Sequence, residues 1–455
     1  MKTSLLSRII FVLLSSIPVL STVAFGAVDI WALGVLSAFA GLISILWLSD
    51  AAFRKEFQFS VSKLQLPLFG LILIGLIQLL PLRGLEIPSS LLDITVVSSL
   101  SLSAYSTRLA IVQLIVYFVF LAASLTFINS SKRLKYVVLT VIIFGSLMAV
   151  YGILQRLSNI EAIYGARIPV QAIPFASFIN GHHFAAFMEM TLGLTLGLLF
   201  GEATKKDKRL LLVIASVIMG MAVIFTGSRG GMIALLGVIS FVVIANLFKK
   251  PMTEVDSEIE NKRNHRRKFT FVAGGLALII GLFGAVVFFG GDESLMRGVG
   301  LQSNQDDFSN GRMHFWQVAV QIFLDYPILG AGLDAFGTAF TRYDSWNGSF
   351  RIEQAHNDYL QVLADAGIVG FACVAAFIYL LFKQSLGVIT KANDGFQQNV
   401  AIGALAGCFG ILLHSFFDFP LRTPSNALFF LTLVVLATTS FNKNKIHRSR
   451  RSPQV

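Results

Sequence analysis

The chain has 455 residues, of which 55% are hydrophobic and 13% charged, with a formal net charge of +11. So much apolar surface exceeds what a soluble domain can hide, so a bilayer must cover the excess and a soluble fold is excluded. The basic residues fall in short runs between apolar stretches, a pattern that speaks for membrane topology and against a nucleic-acid partner.

A membrane span needs roughly 20 mainly apolar residues, with shorter runs tolerated. In chain order the candidates are Ile9 to Phe25, Trp31 to Leu48, Leu66 to Leu80, Leu109 to Phe127, Val137 to Leu154 and His183 to Phe200. They continue with Leu210 to Thr226, Met232 to Phe248, Phe271 to Phe289, Ile368 to Phe382, Val400 to Phe417 and Ala427 to Phe441. The expected fold is an all-α polytopic membrane protein of about 12 transmembrane helices with one long, partly helical loop. Residues 1–290 then hold spans one to nine, 291–367 form the long loop, 368–441 hold spans ten to twelve, and 442–455 are a basic tail. The first span follows Lys2 and Arg8 and is read as a retained helix, because a second span follows at once. Cys373 and Cys408 both fall inside predicted spans, where they read as packing residues rather than a redox pair.

An even number of spans puts both termini on one side, and Lys and Arg concentrate there. The positive-inside rule makes that side cytoplasmic and places the long loop outside. The basic residues on the outer side are all Arg, the side chain whose fork suits oxyanions. The inner run from Lys249 to Lys268 is basic around an acidic middle and reads as a solvated, lipid-contacting linker.

The long loop has helical order of its own. Met313, Trp316, Val320, Phe323 and Leu324 recur at helical spacing between a start at Ser309 or Asn310 and a stop before Pro327. Gly330 and Gly332 break the chain next. A second helical pattern begins after His356, with Tyr359, Leu360, Leu363 and Ala366 on one face and a C-cap expected at Gly367. His356 therefore stands at a helix start.

Elsewhere, His182 and His183 are adjacent and point to different helix faces, so they do not form a simple chelating pair. Glu189 is an intramembrane carboxylate, a costly residue that faces a protein interior or a cavity. His414 and Asp418 are spaced for an i,i+4 contact, as a structural or a supporting pair. No Asp-x-Asp motif and no phosphate-cradling Gly-rich nucleotide loop occurs, so neither a metal nor another cofactor is expected.

The run GRMHFWQVAVQIFLDYPILGAGLDAF, followed by EQAHNDYLQVLADAGIVGF, resembles the signature of the O-antigen ligase and polymerase superfamily. FINGHHFAAF, FTGSRGG and HSFFDFPLRTPSN add to the resemblance, which spans nearly the whole chain. It implies a GT-C-like glycosyltransferase architecture in the bacterial inner membrane, with the long loop periplasmic. The implied donor is a glycan on undecaprenyl diphosphate; the implied acceptor is a hydroxyl on lipid A-core or another glycan.

The residues matching the family's functional positions are Arg229 in TGSRG, Arg312 in GRMHFW and His356 in AHNDY. Guanidinium forks suit a diphosphate leaving group, and an imidazole suits removal of the acceptor proton. Glu189, Trp316, Asn357 and Asp358 are the substrate-binding candidates around them. Trp316 also fits as packing, and Arg229 as an interfacial residue. Polymerisation and protein O-glycosylation are alternatives within the superfamily. Outside it stand a solute or bicarbonate transporter, for which many spans and Glu189 also speak, and a noncatalytic scaffold.

Overall fold

The computed structural model describes residues 4–86, 95–170, 172–201, 206–248, 273–277, 280–281, 311–346, 352–392 and 394–440. Among them eight helices are long and apolar enough to cross a membrane. They are α1 (Leu5–Val23), α2 (Ile30–Arg54), α4 (Ala104–Phe127), α5 (Ser131–Leu157), α7 (Lys206–Phe225), α8 (Arg229–Phe248), α11 (Asp358–Lys391) and α12 (Gly395–His414). Two further apolar helices are shorter, α3 (Gln65–Gln78) and α13 (Pro424–Thr438). Between them lies α6 (Gly181–Leu199), which is almost wholly buried. Of the twelve spans expected from the sequence, Phe271 to Phe289 lies mostly outside the described residues, as do the inner linker and the basic tail.

Helix starts are set by short polar side chains that satisfy the first free N–H groups. Ser4, Ser130, Asn180, Asn357 and Asp394 each accept a hydrogen bond from the first turn of the helix they cap. Large apolar side chains such as Ile45, Leu66, Ile143 and Leu147 point outward and are exposed. That inversion of the soluble pattern is what a bilayer-facing surface requires.

The centre of the bundle is the pair α6 and α12. Gly193 and Gly197 on α6 face Gly403 and Gly407 on α12, two small-xxx-small motifs in register. A Cβ on Gly193 would lie 2.5 Å from the Gly407 nitrogen, and one on Gly197 would strike the backbone of Gly403. Between helices in lipid, such close approach supplies the packing that a hydrophobic driving force cannot.

The segment between α8 and α11 carries a small core of its own among the described residues. The helices α9 (Arg312–Asp325) and α10 (Phe336–Tyr343) bury Phe315, Val318, Ile322, Phe336 and Phe340 together with Ala355 and Ala364. α9 occupies the stretch expected from its periodicity, entered through Gly311 at φ 80°. A short antiparallel hairpin of β1 (Arg83–Glu86) and β2 (Thr95–Ser98), not foreseen in the sequence, follows α3.

Gly367 ends a helix as its glycine predicts: it is non-helical (φ 63°, ψ −165°) within the 34 residues of α11, and a second helical stretch starts at once beyond it and runs to Lys391. The break persists because its loose backbone groups find partners in the preceding loop. Ala331 and Gly332 N–H groups bind the carbonyls of Ala364 and Asp365 at 2.8 and 3.1 Å, and the Ile368 N–H binds the Pro327 carbonyl at 2.8 Å. Gln78 of α3 locks the same loop, accepting from the Leu333 N–H at 2.8 Å and donating to the Asp365 carbonyl at 2.9 Å.

Candidate functional site

Four separate pieces of chain meet at one end of the bundle. The turn after α12 supplies Asp418, the start of α11 supplies His356, the start of α9 supplies Arg312 and the start of α8 supplies Arg229. The α8 start is drawn in because Gly230 has no side chain: a Cβ there would lie 3.0 Å from the His414 ring and 3.2 Å from Phe417.

Asp418 is the hub. One of its oxygens lies 3.0 Å from His356 Nδ1, the other 3.8 Å from the Arg312 guanidinium, and its side chain is buried. Burial opposes its charge, but the hydrogen bond with His356 and the surrounding histidines more than offset that, holding its carboxyl well below the usual range. An ionised Asp418 accepts a hydrogen bond, so His356 carries a hydrogen on Nδ1 and its Nε2 is turned away from Asp418. The imidazole is fixed further by the ring of Phe419, edge-on at 4.7 Å, while 31% of it stays exposed. His356 also holds a left-handed backbone conformation at φ 51°. Such a conformation costs a non-glycine residue about 1–3 kcal/mol and recurs where a site dictates geometry.

Arg312 sits against Asp418 but remains partly exposed. Burial lowers its proton affinity, Asp418 opposes that, and the like charge of Arg229 lowers it again. The two guanidinium groups are thus close enough to feel each other beside Asp418. Such an arrangement attracts an anion.

The other expected residues are placed differently. Asn357 caps α11, accepting from the Tyr359 and Leu360 N–H groups at 3.0 and 3.1 Å and donating to the Phe416 carbonyl at 3.1 Å. Asp358 is turned the other way, accepting from Ser415 Oγ at 2.8 Å. Both side chains are used in joining α11 to the turn after α12. Trp316 lies half-buried against the small core between α8 and α11.

Glu189 does not open on the site: it is fully buried and paired with His414 Nδ1 at 2.9 Å. His414 and Asp418, spaced for mutual contact, instead take different partners. Their side chains diverge because the α-helix stops at His414. His183 hydrogen-bonds Thr423 at 2.8 Å and packs on the other side of Phe419 at 4.8 Å. Among the described residues no three His, Cys, Asp or Glu side chains are grouped to hold a metal ion.

Beside this cluster lies a cavity of about 490 Å³ within a ring of α3, α4, α11 and α13. Its walls are mainly apolar, from Leu68, Leu114, Phe377 and Phe430, and its polar end carries Asp334, Asp358, Asp365 and Arg422. Arg422 bridges Asp334 at 2.7 Å and Asp365 at 2.6 Å. Burial works against its charge, yet the three carboxylates hold its proton more firmly than usual. Neither Asp418 nor Arg422 was singled out from the sequence as a catalytic or substrate-binding residue. Both lie in HSFFDFPLRTPSN, a motif from which no catalytic or substrate-binding residue was assigned.

The bundle and this constellation define a multi-pass membrane protein with an imidazole, a carboxylate and two guanidinium groups gathered at the end of its helices. Residues 214–375 match the family described as O-Antigen ligase (Wzy_C). The matched stretch includes Arg229, Arg312 and His356 and stops short of Asp418 and Arg422. No curated individual protein matches the chain.

Proposed function

We infer that the protein is a membrane glycosyltransferase of the O-antigen ligase type that moves a glycan from undecaprenyl diphosphate to an acceptor hydroxyl. The observation that carries this reading is Asp418, which touches both His356 and Arg312. One carboxylate orients a base and anchors an anion-binding group beside it.

In this reading the acceptor oxygen attacks the sugar C1, the C1–O bond to the diphosphate breaks, and the lipid diphosphate leaves with the bonding electrons. His356 Nε2 takes the acceptor proton, a contribution of about 10² to 10⁴ in rate. Arg229 and Arg312 bind the growing charge on the diphosphate. Asp418 stabilises the imidazolium that results. The apolar cavity suits the hydrocarbon part of a lipid substrate, and its acidic end suits a hydroxyl-bearing group better than a diphosphate.

The twelve-span arrangement with both termini cytoplasmic belongs to the same proposal. So do the periplasmic loop of 291–367, the flanking span groups 1–290 and 368–441, and the tail 442–455. The residues in place perform each step without a metal. The test is transfer by the purified protein from lipid-linked glycan in excess chelator. Transfer under those conditions supports the mechanism; activity that vanishes with EDTA and returns with Mg²⁺ or Mn²⁺ overturns it. Uptake of a solute without any transfer would assign the chain to transport instead. Polymerisation and protein O-glycosylation share the transfer residues and are separated by supplying the corresponding acceptor.

A further inference from the structure

Trp346 is 46% exposed, a large fraction for an indole fixed on several sides. His314 stacks on one face at 4.3 Å with planes only 11° apart, and Phe315 meets it at 5.8 Å and 63°. Its six-membered ring lies over Gly311, where a Cβ would come within 2.9 Å. Asp344 binds the pieces together: one oxygen lies 2.8 Å from His314 Nε2 and accepts from the Trp346 N–H at 3.0 Å. Those two contacts, the backbone one first, hold the Asp344 carboxyl below its usual range, so it stays ionised at neutral pH. One indole face is covered by the His314 ring, and nearly half of the residue remains exposed.

This platform adjoins the site. Phe315, in contact with Trp346, also lies 5.9 Å from the His356 ring, and Gly311 under the indole is followed directly by Arg312. An aromatic face with a fixed carboxylate beside it matches a pyranose, whose C–H face is apolar and whose rim carries hydroxyl donors. A bilayer-facing tryptophan needs neither the stacked histidine nor the carboxylate.

We propose that Trp346, backed by His314 and flanked by Asp344, is a glycan subsite that holds a sugar ring next to the reacting one. The indole face takes the C–H face of the ring, and Asp344 accepts from its hydroxyls. The proposal rests on the glycosyltransferase reading for its substrate class, while the platform itself is a matter of geometry.

The test has two arms on the full-length protein in lipid nanodiscs. In the first, oligosaccharide released by mild acid from the host's own lipid-linked glycan is titrated against tryptophan fluorescence. The wild type responds saturably and Trp346→Ala does not. In the second, transfer kinetics are measured with donor and acceptor varied in turn. Trp346→Ala raises KM for one of them by about tenfold, as the loss of one stacked ring predicts, while kcat changes by less than about twofold. Trp346→Tyr restores most of the loss. The substrate whose KM moves tells whether the held sugar belongs to donor or acceptor.

Unchanged KM in Trp346→Ala, or fluorescence quenched by brominated lipid but not by glycan, overturns the subsite and assigns the ring to the bilayer interface. A wild type that binds the oligosaccharide but transfers nothing leaves the subsite standing and removes the proposed activity. A wild type that transfers while Trp346→Ala matches it in both arms does the reverse.

Discussion

Asp418 reaches His356 Nδ1 at 3.0 Å with one oxygen and the Arg312 guanidinium at 3.8 Å with the other. Through that residue, the turn following α12 sets the positions of two groups that are 44 residues apart from each other along the chain, numbered 312 and 356. His356 and Arg312, the proposed base and anion-binding group, are therefore not independent, and changes at Asp418 are expected to affect both.

Replacing Asp418 by Asn keeps the shape but removes the charge that fixes the His356 tautomer. Transfer should fall by about 10² or more, with normal insertion, and kcat should carry most of the loss. Because the folded-state carboxyl is held below its ordinary 3.8, its contribution to stability is full above that value and is lost as pH falls through the lower folded-state value. The thermal-stability gap between wild type and Asp418→Asn in detergent should accordingly be constant from neutral pH down to the unfolded value and close only below it. A gap that opens at acidic pH would reverse the sign and refute the ion pairing.

Arg229→Lys and Arg312→Lys retain a positive charge but lose the planar fork. Each should impair transfer strongly, while the amount of folded protein in the membrane is unchanged. His356→Ala should do the same through loss of the base. The check is a transfer assay normalised to folded protein by size-exclusion profile; near wild-type transfer by His356→Ala would remove the catalytic assignment.

The glycine seam makes a structural prediction independent of activity. Gly193→Leu forces a side chain into the Gly407 backbone, an overpacking cost of about 1–3 kcal/mol or more. A lower melting temperature in detergent and poor membrane yield are expected. Gly34→Leu on α2, where an added Cβ meets nothing within 4 Å, is the control that should melt as the wild type does.

Topology is read by labelling. Thr341→Cys on α10 should react with an impermeant maleimide in intact cells, and Lys55→Cys after α2 only after lysis. The opposite pattern would invert the proposed orientation.

Much of this arrangement could be read from residues alone, for physical reasons that also mark where reading stopped. α9 was legible because its apolar period is uninterrupted from Met313 to Leu324. The start at Asn357 was legible because an Asx residue opens a periodic run. The stop at Gly367 was legible because glycine at positive φ normally ends a helix; the second helix that starts at once beyond it was not, since it depends on Ala331 and Gly332 taking up the carbonyls the break would otherwise strand. Glu189 was left between lining a cavity and pairing with a neighbouring helix; spacing could not name its partner His414, 225 positions away. Asp418 looked like a helical neighbour of His414 because spacing cannot show that the helix stops between them. The partners of Asn357 and Asp358, Phe416 and Ser415, are equally invisible before the turn after α12 is folded against them.

The break at Gly367 also bears on how the protein tolerates its lipid surroundings. A continuous rod from Lys391 to Asp358 would act as a lever, so that every change of tilt imposed by a thicker or thinner bilayer would swing His356 away from Arg229. The interruption places a fulcrum at the ledge formed by residues 327–332, which Gln78 ties to α3. Hydrophobic mismatch is then absorbed by the portion beyond Ile368, and the short portion bearing the imidazole stays referenced to the rest of the outer assembly.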